Sequence, residues 1–153
     1  IIPCFLILPE NRNLEKIVPT VIKETIKFGG FFKDINISGG EAVVLIYFGA
    51  PKTAEKIFQR AADFALRLKI VLKKDFNIAL TFGTVFSGFI ENKNRSEYLA
   101  MGKVVNLAAR ISAISKWDGI YVDEEFSRFN RNHYNFKPIG EKALKGFEQK
   151  IPV

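Results

Sequence analysis

The chain has 153 residues, of which 48% are hydrophobic and 15 are phenylalanine, a composition that excludes a disordered or fibrous protein. Its formal net charge of +7 favours anionic partners such as nucleotides, nucleic acid or an acidic membrane surface. No apolar run approaches the roughly 18 residues that span a bilayer, so we expect no membrane contact within this segment. The length is that of one domain, residues 1–153, which we expect to belong to a longer chain.

Cysteine and histidine each occur once. Cys4 lies in an apolar segment, so it forms no intrachain disulfide and is expected in the core of an intracellular, cytoplasmic protein. His133 has no second histidine or cysteine pair to complete a ligand set, which argues against a zinc site. The lysines and arginines of the apparent helices are interleaved with acids, a pattern typical of a solvated surface.

The first half of the chain predicts a strand, a helix, a hairpin and a second helix. The first helix ends at Gly29-Gly30, where a left-handed exit needs no Cβ, and Pro19 is expected to kink or restart it. A short glycine turn over residues 38–41 joins two strands into an antiparallel hairpin. The predicted ranges are strand 2–8, helix 14–28, strands 31–37 and 42–48, and a long helix that follows Gly49-Ala50-Pro51 and ends near residue 72.

The second half predicts another hairpin and two further helices. Residues 76–82 and 85–90, separated at Gly83, are expected to pair with each other. A polar loop over 91–97 leads to the helix that contains Asn106 and Arg110. Strand 120–122, helix 123–129 and strand material at 134–138 and 151–153 complete the chain. The order β-α-β-β-α-β predicts an α+β fold, a ferredoxin-like core with helices packed on one face of an antiparallel sheet.

Two polar side chains share one face of an otherwise apolar helix. Asn106 and Arg110 are one turn apart and therefore neighbours in space. A planar guanidinium beside an amide is suited to hold a phosphate, although a solvated pair on an ordinary amphipathic helix explains the spacing equally well. The residues expected on the buried side are Val104, Leu107, Ala108, Ile111 and Ile114.

Several motifs occur together in the order of one family. The chain resembles the catalytic domain of class III adenylyl and guanylyl cyclases from about residue 14 to residue 153. It looks most like the second, metal-less domain of tandem proteins of the soluble-adenylyl-cyclase type. The matching segments are Phe28-Gly29-Gly30, Tyr47-Phe48-Gly49-Ala50-Pro51, residues 78–88, Glu97-Tyr98 with Gly102, residues 105–110, and Lys145-Gly146.

The resemblance implies the nucleotidyl cyclase fold and a role for the helix pair. Cyclases of this class form head-to-tail dimers with ATP or GTP at the interface, so a second cyclase domain is the expected partner. Asn106 matches the asparagine that positions the ribose, and Arg110 matches the arginine that stabilises the pentavalent phosphate. These two residues are the predicted catalytic groups for conversion of ATP to cyclic AMP and pyrophosphate in signalling.

The same resemblance marks positions where this chain departs from the family. The first metal-binding aspartate falls at or near Ile7, and the second falls in residues 38–41, where Glu41 is the only carboxylate. No metal ligand is therefore assigned, and Mg²⁺ or Mn²⁺ is expected only if a partner domain supplies the ligands. A degenerate base pocket is assigned to Lys33, Asp34 and Leu99, with Lys33 and Asp34 on opposite faces of their strand.

These departures leave three hypotheses. The first is a cyclase half-site that is inactive as a homodimer and works with a partner domain, and the second is a degenerate cyclase-homology domain that acts in dimerisation or regulation. The third, more remote, is a domain like an RNA-recognition motif with a platform of aromatic rings. Core packing explains those rings better, and we expect no nucleic acid partner. The candidate rings are Phe31, Phe32, Phe86 and Phe89.

Overall fold

A computed structural model describes residues 1–92 and 95–153 of the chain. Helices and strands alternate along most of it, as the hydrophobic pattern predicts. The elements in chain order are β1 (Ile2–Pro9), α1 (Leu14–Lys27), β2 (Gly30–Ser38), β3 (Glu41–Phe48), α2 (Ile57–Leu72), β4 (Asn77–Leu80), β5 (Phe86–Asn92), β6 (Arg95–Met101), α3 (Lys103–Ile114), β7 (Gly119–Val122), α4 (Glu124–Asn130), β8 (Glu141–Lys142) and β9 (Ile151–Pro152).

Within these two ranges, five strands form a sheet in the order β2-β3-β1-β4-β7. The pairs β2–β3, β1–β3 and β1–β4 are antiparallel, whereas β4 and β7 run parallel. Two ribbons, β5–β6 and β8–β9, lie outside the sheet. The predicted α+β class is confirmed, with a sheet that is mostly rather than wholly antiparallel.

The main core lies between one face of the sheet and helices α1 and α2. Alternation along β1 directs Ile2, Cys4, Leu6 and Leu8 to this face, and all four are buried. Cys4 is fully buried, as predicted, and burial raises the pKa of its thiol well above the usual range.

Helix α3 covers the opposite face of the sheet. Ala79 of β4 packs there against Ile111, whereas its neighbours Ile78 and Leu80 belong to the main core. The expectation that the helices lie on one face is therefore wrong. The apolar stripe of α3 is buried against a side of the sheet that α1 and α2 do not reach.

Helix α1 runs unbroken through Pro19, so the predicted kink or restart is not seen. Pro19 is exposed, and the backbone carbonyl that loses its donor lies in the first turn, where water can replace the missing bond. The Asn13 side chain accepts a hydrogen bond from Lys16 N and caps the helix start.

The second predicted hairpin is wrong. β4 pairs with β1 and β7, and β5 pairs instead with β6. Much of the predicted polar loop over 91–97 is therefore strand, and residues 93–94 of that prediction lie outside the described residues. Residues 134–138 form no strand in the structure, and the short ribbon β8–β9 lies further along the chain. Among the described residues, no helix is long and apolar enough to cross a membrane.

Candidate functional site

The exposed face of α3 carries the two predicted catalytic residues. Asn106 and Arg110 are both exposed and lie one helical turn apart. Within the described part of the chain, neither side chain makes a hydrogen bond or an ion pair. The predicted buried stripe holds for Val104, Ala108 and Ile111. Leu107 is half-buried, and Ile114 is exposed because the helix ends there.

The N-terminus of α3 is fixed by close contacts that sequence reasoning missed. Thr81, buried at the end of β4, donates a hydrogen bond of 2.9 Å from its hydroxyl to the carbonyl of Val104. Gly83 lies directly against Val104, where an added Cβ would come within 3.1 Å of the valine Cβ. A Cβ on Gly102 would come within 3.0 Å of the Thr84 carbonyl oxygen. Glycine is therefore needed at position 102, because the backbone at Gly102 closely approaches the backbone at Thr84.

The C-terminal end of α3 is held in the same way. Asn77 of β4 is buried and donates a hydrogen bond of 2.8 Å from its side-chain amide to the carbonyl of Ser112. Thr81 and Asn77 thus anchor both ends of the helix from one strand. The only sequence signal for them is a polar residue within or at the end of an apolar strand, where burial requires a hydrogen-bond partner.

An aromatic cluster joins the β5–β6 ribbon to the face of the sheet on which α3 lies. Tyr98 of β6 is the centre of the cluster, with ring centroids 5.8 Å from Phe31, 6.4 Å from Tyr47 and 5.2 Å from Phe89. Val105 of α3 packs against the same group. Burial, with smaller effects of Tyr98 and Asp34, raises the pKa of Tyr47, so its hydroxyl stays protonated at neutral pH.

Two of the predicted base-pocket residues, Lys33 and Asp34, lie on β2, where Lys33 contacts β6. A β-bulge between Phe32 and Asp34 makes Lys33 an extra residue, and its ammonium forms an ion pair with Glu97 of β6. Asp34 lies close enough to Tyr47 to raise its pKa. The expectation that Lys33 and Asp34 lie on opposite faces is wrong, because the bulge interrupts strict alternation.

The third predicted base-pocket residue, Leu99, lies on β6 and pairs with Gly88 of β5. It is half-buried and alternates with Tyr98, which packs on the aromatic cluster together with Ala100. The polar partner of Lys33 is Glu97, which the residue pattern did not single out. The structure therefore pairs Lys33 with Glu97. This residue lies two positions before Leu99, which the resemblance assigned to the base pocket.

The positions that correspond to the metal-binding aspartates are mostly apolar. Ile7 is 7% exposed and pairs with Val43 of β3, and both lie on the α3 face of the sheet by alternation. Glu41 is half-buried on the same face, opposite Ser38 and Pro9. Among the described residues no three His, Cys, Asp or Glu side chains come together as a metal site. One carboxylate beside two aliphatic side chains does not fit a pair of Mg²⁺ or Mn²⁺ ions.

The proposed aromatic platform is not assembled. Phe32 packs against the main core and Phe31 against Tyr98, so core packing explains these two rings. Phe86 and Phe89 lie on the β5–β6 ribbon and are 77% and 61% exposed, so for them the core interpretation is wrong. The four rings do not share one sheet surface, which removes the feature that suggested RNA binding.

A surface cavity of about 560 Å³ is lined by β7, α4 and the segment after α4. Tyr121, Glu124 and Phe136 are among its lining residues. Two further cavities share lining residues with this one, and neither Asn106 nor Arg110 lines any of the three. An open helix face in one chain is the arrangement expected of a site that a second domain completes.

The profile of the family described as "Adenylate and Guanylate cyclase catalytic domain" matches residues 33–152. The chain therefore belongs to this family. The matched range includes β2 from Lys33 onward, β3, α3 and the contacts that anchor α3. No curated protein sequence matches the chain.

Solved cyclase structures share the fold. The adenylyl cyclase CyaB from P. aeruginosa matches with a TM-score of 0.82 and 19% identity, covering 99% of this chain and 90% of that one. The guanylate cyclase domain of RhGC from Catenaria anguillulae, in complex with GTP, matches with a TM-score of 0.79 and 19% identity, covering 99% and 92%. A rhodopsin-guanylyl cyclase core with converted specificity, in complex with ATPαS, matches with a TM-score of 0.79 and 19% identity, covering 99% and 91%.

Proposed function

We propose that this chain is one half of a nucleotidyl cyclase and converts ATP to cyclic AMP and pyrophosphate only when paired head-to-tail with a second cyclase domain. The observation that carries the proposal is the exposed, unpaired placement of Asn106 and Arg110 on a firmly anchored helix. Family membership supports it. The fold alone, shared at 19% identity, does not establish the reaction.

The proposed chemistry places charge where Arg110 can stabilise it. The ribose 3′ oxygen attacks the α-phosphorus, the bond to pyrophosphate breaks, and negative charge develops on the phosphoryl oxygens. A guanidinium held in place before reaction stabilises that charge more than it stabilises the ground state. Asn106 would orient the ribose through its amide. The described residues contain no fitting set of metal ligands, so any Mg²⁺ or Mn²⁺ would be held by the partner domain.

The base pocket is proposed to lie beside Lys33, Asp34 and Leu99. The Lys33 ammonium supplies hydrogen-bond donors and Glu97 supplies acceptors, whereas Leu99 supplies neither. Both purines have been captured in related folds, with GTP in one and ATPαS in another. ATP is the proposed substrate and GTP the alternative.

The test mixes this chain with a catalytic first-half domain from the same parent protein and measures cyclic AMP with Mg²⁺ and with Mn²⁺. Turnover is expected only in the mixture, and Arg110→Ala should lower it by about 10²-fold or more. Arg131→Ala removes an exposed arginine from the end of α4 and is the matched control, with unchanged turnover. Metal-dependent turnover by the chain alone would contradict the need for a partner.

A second candidate function is a non-catalytic module for dimerisation or regulation. The apolar pair of Ile7 and Val43 favours it, because this end of the sheet lacks the oxygen ligands that the family chemistry uses. Under this alternative, neither ATP binding nor turnover appears in any mixture, while the two domains still associate. Turnover in the mixture would reject it.

A further inference from the structure

The positive charge of the chain is concentrated in one layer of the fold. We define the basic layer as residues 14–28 and 56–74, which comprise α1, α2 and the residues next to them; the acids Glu55 and Asp75 lie directly outside these bounds. It holds nine of the 23 lysines and arginines but only three of the 16 acidic residues, so it carries six of the seven net positive charges. The nine are Lys16, Lys23, Lys27, Lys56, Arg60, Arg67, Lys69, Lys73 and Lys74, and all are exposed.

The acids of the basic layer do little to neutralise it. Glu24 is 6% exposed, lies between the helices and is 3.5 Å from the guanidinium of Arg67. Asp63 accepts a hydrogen bond from the Tyr134 hydroxyl at the edge of the layer, and Glu15 lies in the first turn of α1. Among the described residues, the other eight cations have no ion-pair partner.

Large aliphatic side chains stand exposed among these cations. Ile26 of α1 is 69% exposed and Ile70 of α2 is 66% exposed. On the surface of α2, Ile70 is a neighbour of Arg67 at a helical spacing of three residues, and Lys73 and Lys74 follow directly after the helix ends at Leu72. Isoleucine within a cluster of lysines is unfavourable in water but fits the boundary between lipid headgroups and acyl chains.

The basic layer has a shape that suits a planar partner. α1 and α2 lie side by side on one face of the sheet, with Phe28 and Phe64 in contact between them. Helices of 14 and 16 residues are each about 20–24 Å long. The layer lies on the opposite side of the sheet from α3, so a partner bound there leaves Asn106 and Arg110 accessible.

We propose that the basic layer docks on an anionic phospholipid surface, with its cations over the headgroups and Ile26 and Ile70 inserted at the acyl boundary. The proposal replaces the expectations of a solvated surface and of no membrane contact within this segment, since a peripheral contact requires no spanning helix. A lipid surface is favoured over a nucleic acid because the most exposed side chains of the layer include aliphatic groups. These groups gain nothing from a phosphate backbone.

The test is flotation of the protein with vesicles of phosphatidylcholine, with and without 30% phosphatidylserine. Binding is expected only with phosphatidylserine and is expected to fall with added salt. The variant Lys23→Gln, Lys27→Gln, Lys69→Gln, Lys73→Gln should lower the partition coefficient by about 10²- to 10³-fold, since each charge near the surface contributes about fivefold. The control replaces four exposed cations elsewhere by glutamine: Lys116, Arg131, Lys137 and Lys150.

A separate variant tests the aliphatic contribution. Ile26→Ser with Ile70→Ser keeps the charge and should weaken vesicle binding by about tenfold or more. Equal losses in the two four-site variants would overturn the proposal, because binding would then follow net charge alone. Unchanged binding of the serine variant, or stronger binding to an RNA oligonucleotide than to vesicles, would also overturn it. Circular dichroism checks that all variants remain folded.

Discussion

At the scale of single residues, Asp123 shows how the end of β7 is tied to α4. Its carboxylate is 5% exposed and accepts hydrogen bonds from Phe126 N at 3.0 Å and Phe82 N at 3.4 Å. Burial raises the pKa of Asp123 to about 6, and the two backbone donors only partly offset that effect. Ionisation of Asp123 is therefore less favourable in the folded protein than in the unfolded chain.

Asp123 should make the protein less stable as the pH rises from about 4 to 6.5. The folded-state pKa lies above the unfolded value of 3.8, so in this window the folded protein binds more protons and loses stability as they leave. Asp123→Asn removes this titration, and the wild type should lose about 2 kcal/mol relative to the variant between pH 4 and pH 7. Urea unfolding at both pH values measures the difference.

The neighbouring carboxylate provides the control for this measurement. Glu124 is exposed, and Glu124→Gln is expected to reproduce the wild-type dependence of unfolding free energy on pH. A wild type and Asp123→Asn variant with parallel pH profiles would contradict the prediction.

At the scale of elements, the placement of α3 depends on side chains of β4. Thr81→Val keeps the volume but removes the donor to the Val104 carbonyl, which should cost about 1 kcal/mol of unfolding free energy and loosen the first turn of α3. Faster hydrogen exchange of the α3 amides at residues 106–109, the first that donate hydrogen bonds within the helix, is the expected readout.

Thr81→Ser is the complementary variant, because it keeps the hydroxyl and loses a buried methyl group. It should be destabilised to a similar extent but retain slow exchange at residues 106–109. Fast exchange in the serine variant with slow exchange in the valine variant would show that packing, not the hydrogen bond, fixes the helix.

Local patterns predicted the elements whose pairing is local. The β2–β3 hairpin follows from its glycine turn, and α1 and α2 follow from their apolar stripes. The partner of β4 was not predictable in this way. All four residues of β4 are buried, and its neighbours β1 and β7 are distant in sequence. Gly83 therefore suggested a hairpin between residues 76–82 and 85–90. In the structure β4 pairs instead with strands that are distant in sequence.

The candidate site was predictable where it rests on helical spacing and not where it rests on irregular backbone. A spacing of four residues places Asn106 and Arg110 together on any helix. The bulge at Lys33 has no glycine or other turn residue to mark it, so strict alternation misplaced Lys33 and missed its partner Glu97. Lys33 and Glu97 are both half-buried, and their polar character alone does not indicate which residue each contacts.

At the scale of the whole molecule, the sheet separates two surfaces of different chemistry. One is the basic layer, and the other contains α3 and the β5–β6 ribbon. Phe86 and Met101 face each other across that ribbon and are 77% and 56% exposed. An exposed apolar patch beside the open face of α3 is typical of a protein interface, and a second cyclase domain is the partner we propose for it.

Phe86→Ser with Met101→Ser should therefore weaken association with a second cyclase domain by about 10²-fold or more. Burial of each of these side chains contributes about 1.5–3 kcal/mol, and both contributions are lost in the variant. Sedimentation velocity over a concentration series measures the association, with Ile26→Ser and Ile70→Ser as a control that alters exposed aliphatic groups on the opposite surface. If association is lost in the control and retained in the ribbon variant, the interface lies on the basic layer instead. Asn106 and Arg110 would then lack the partner domain that the proposed reaction requires.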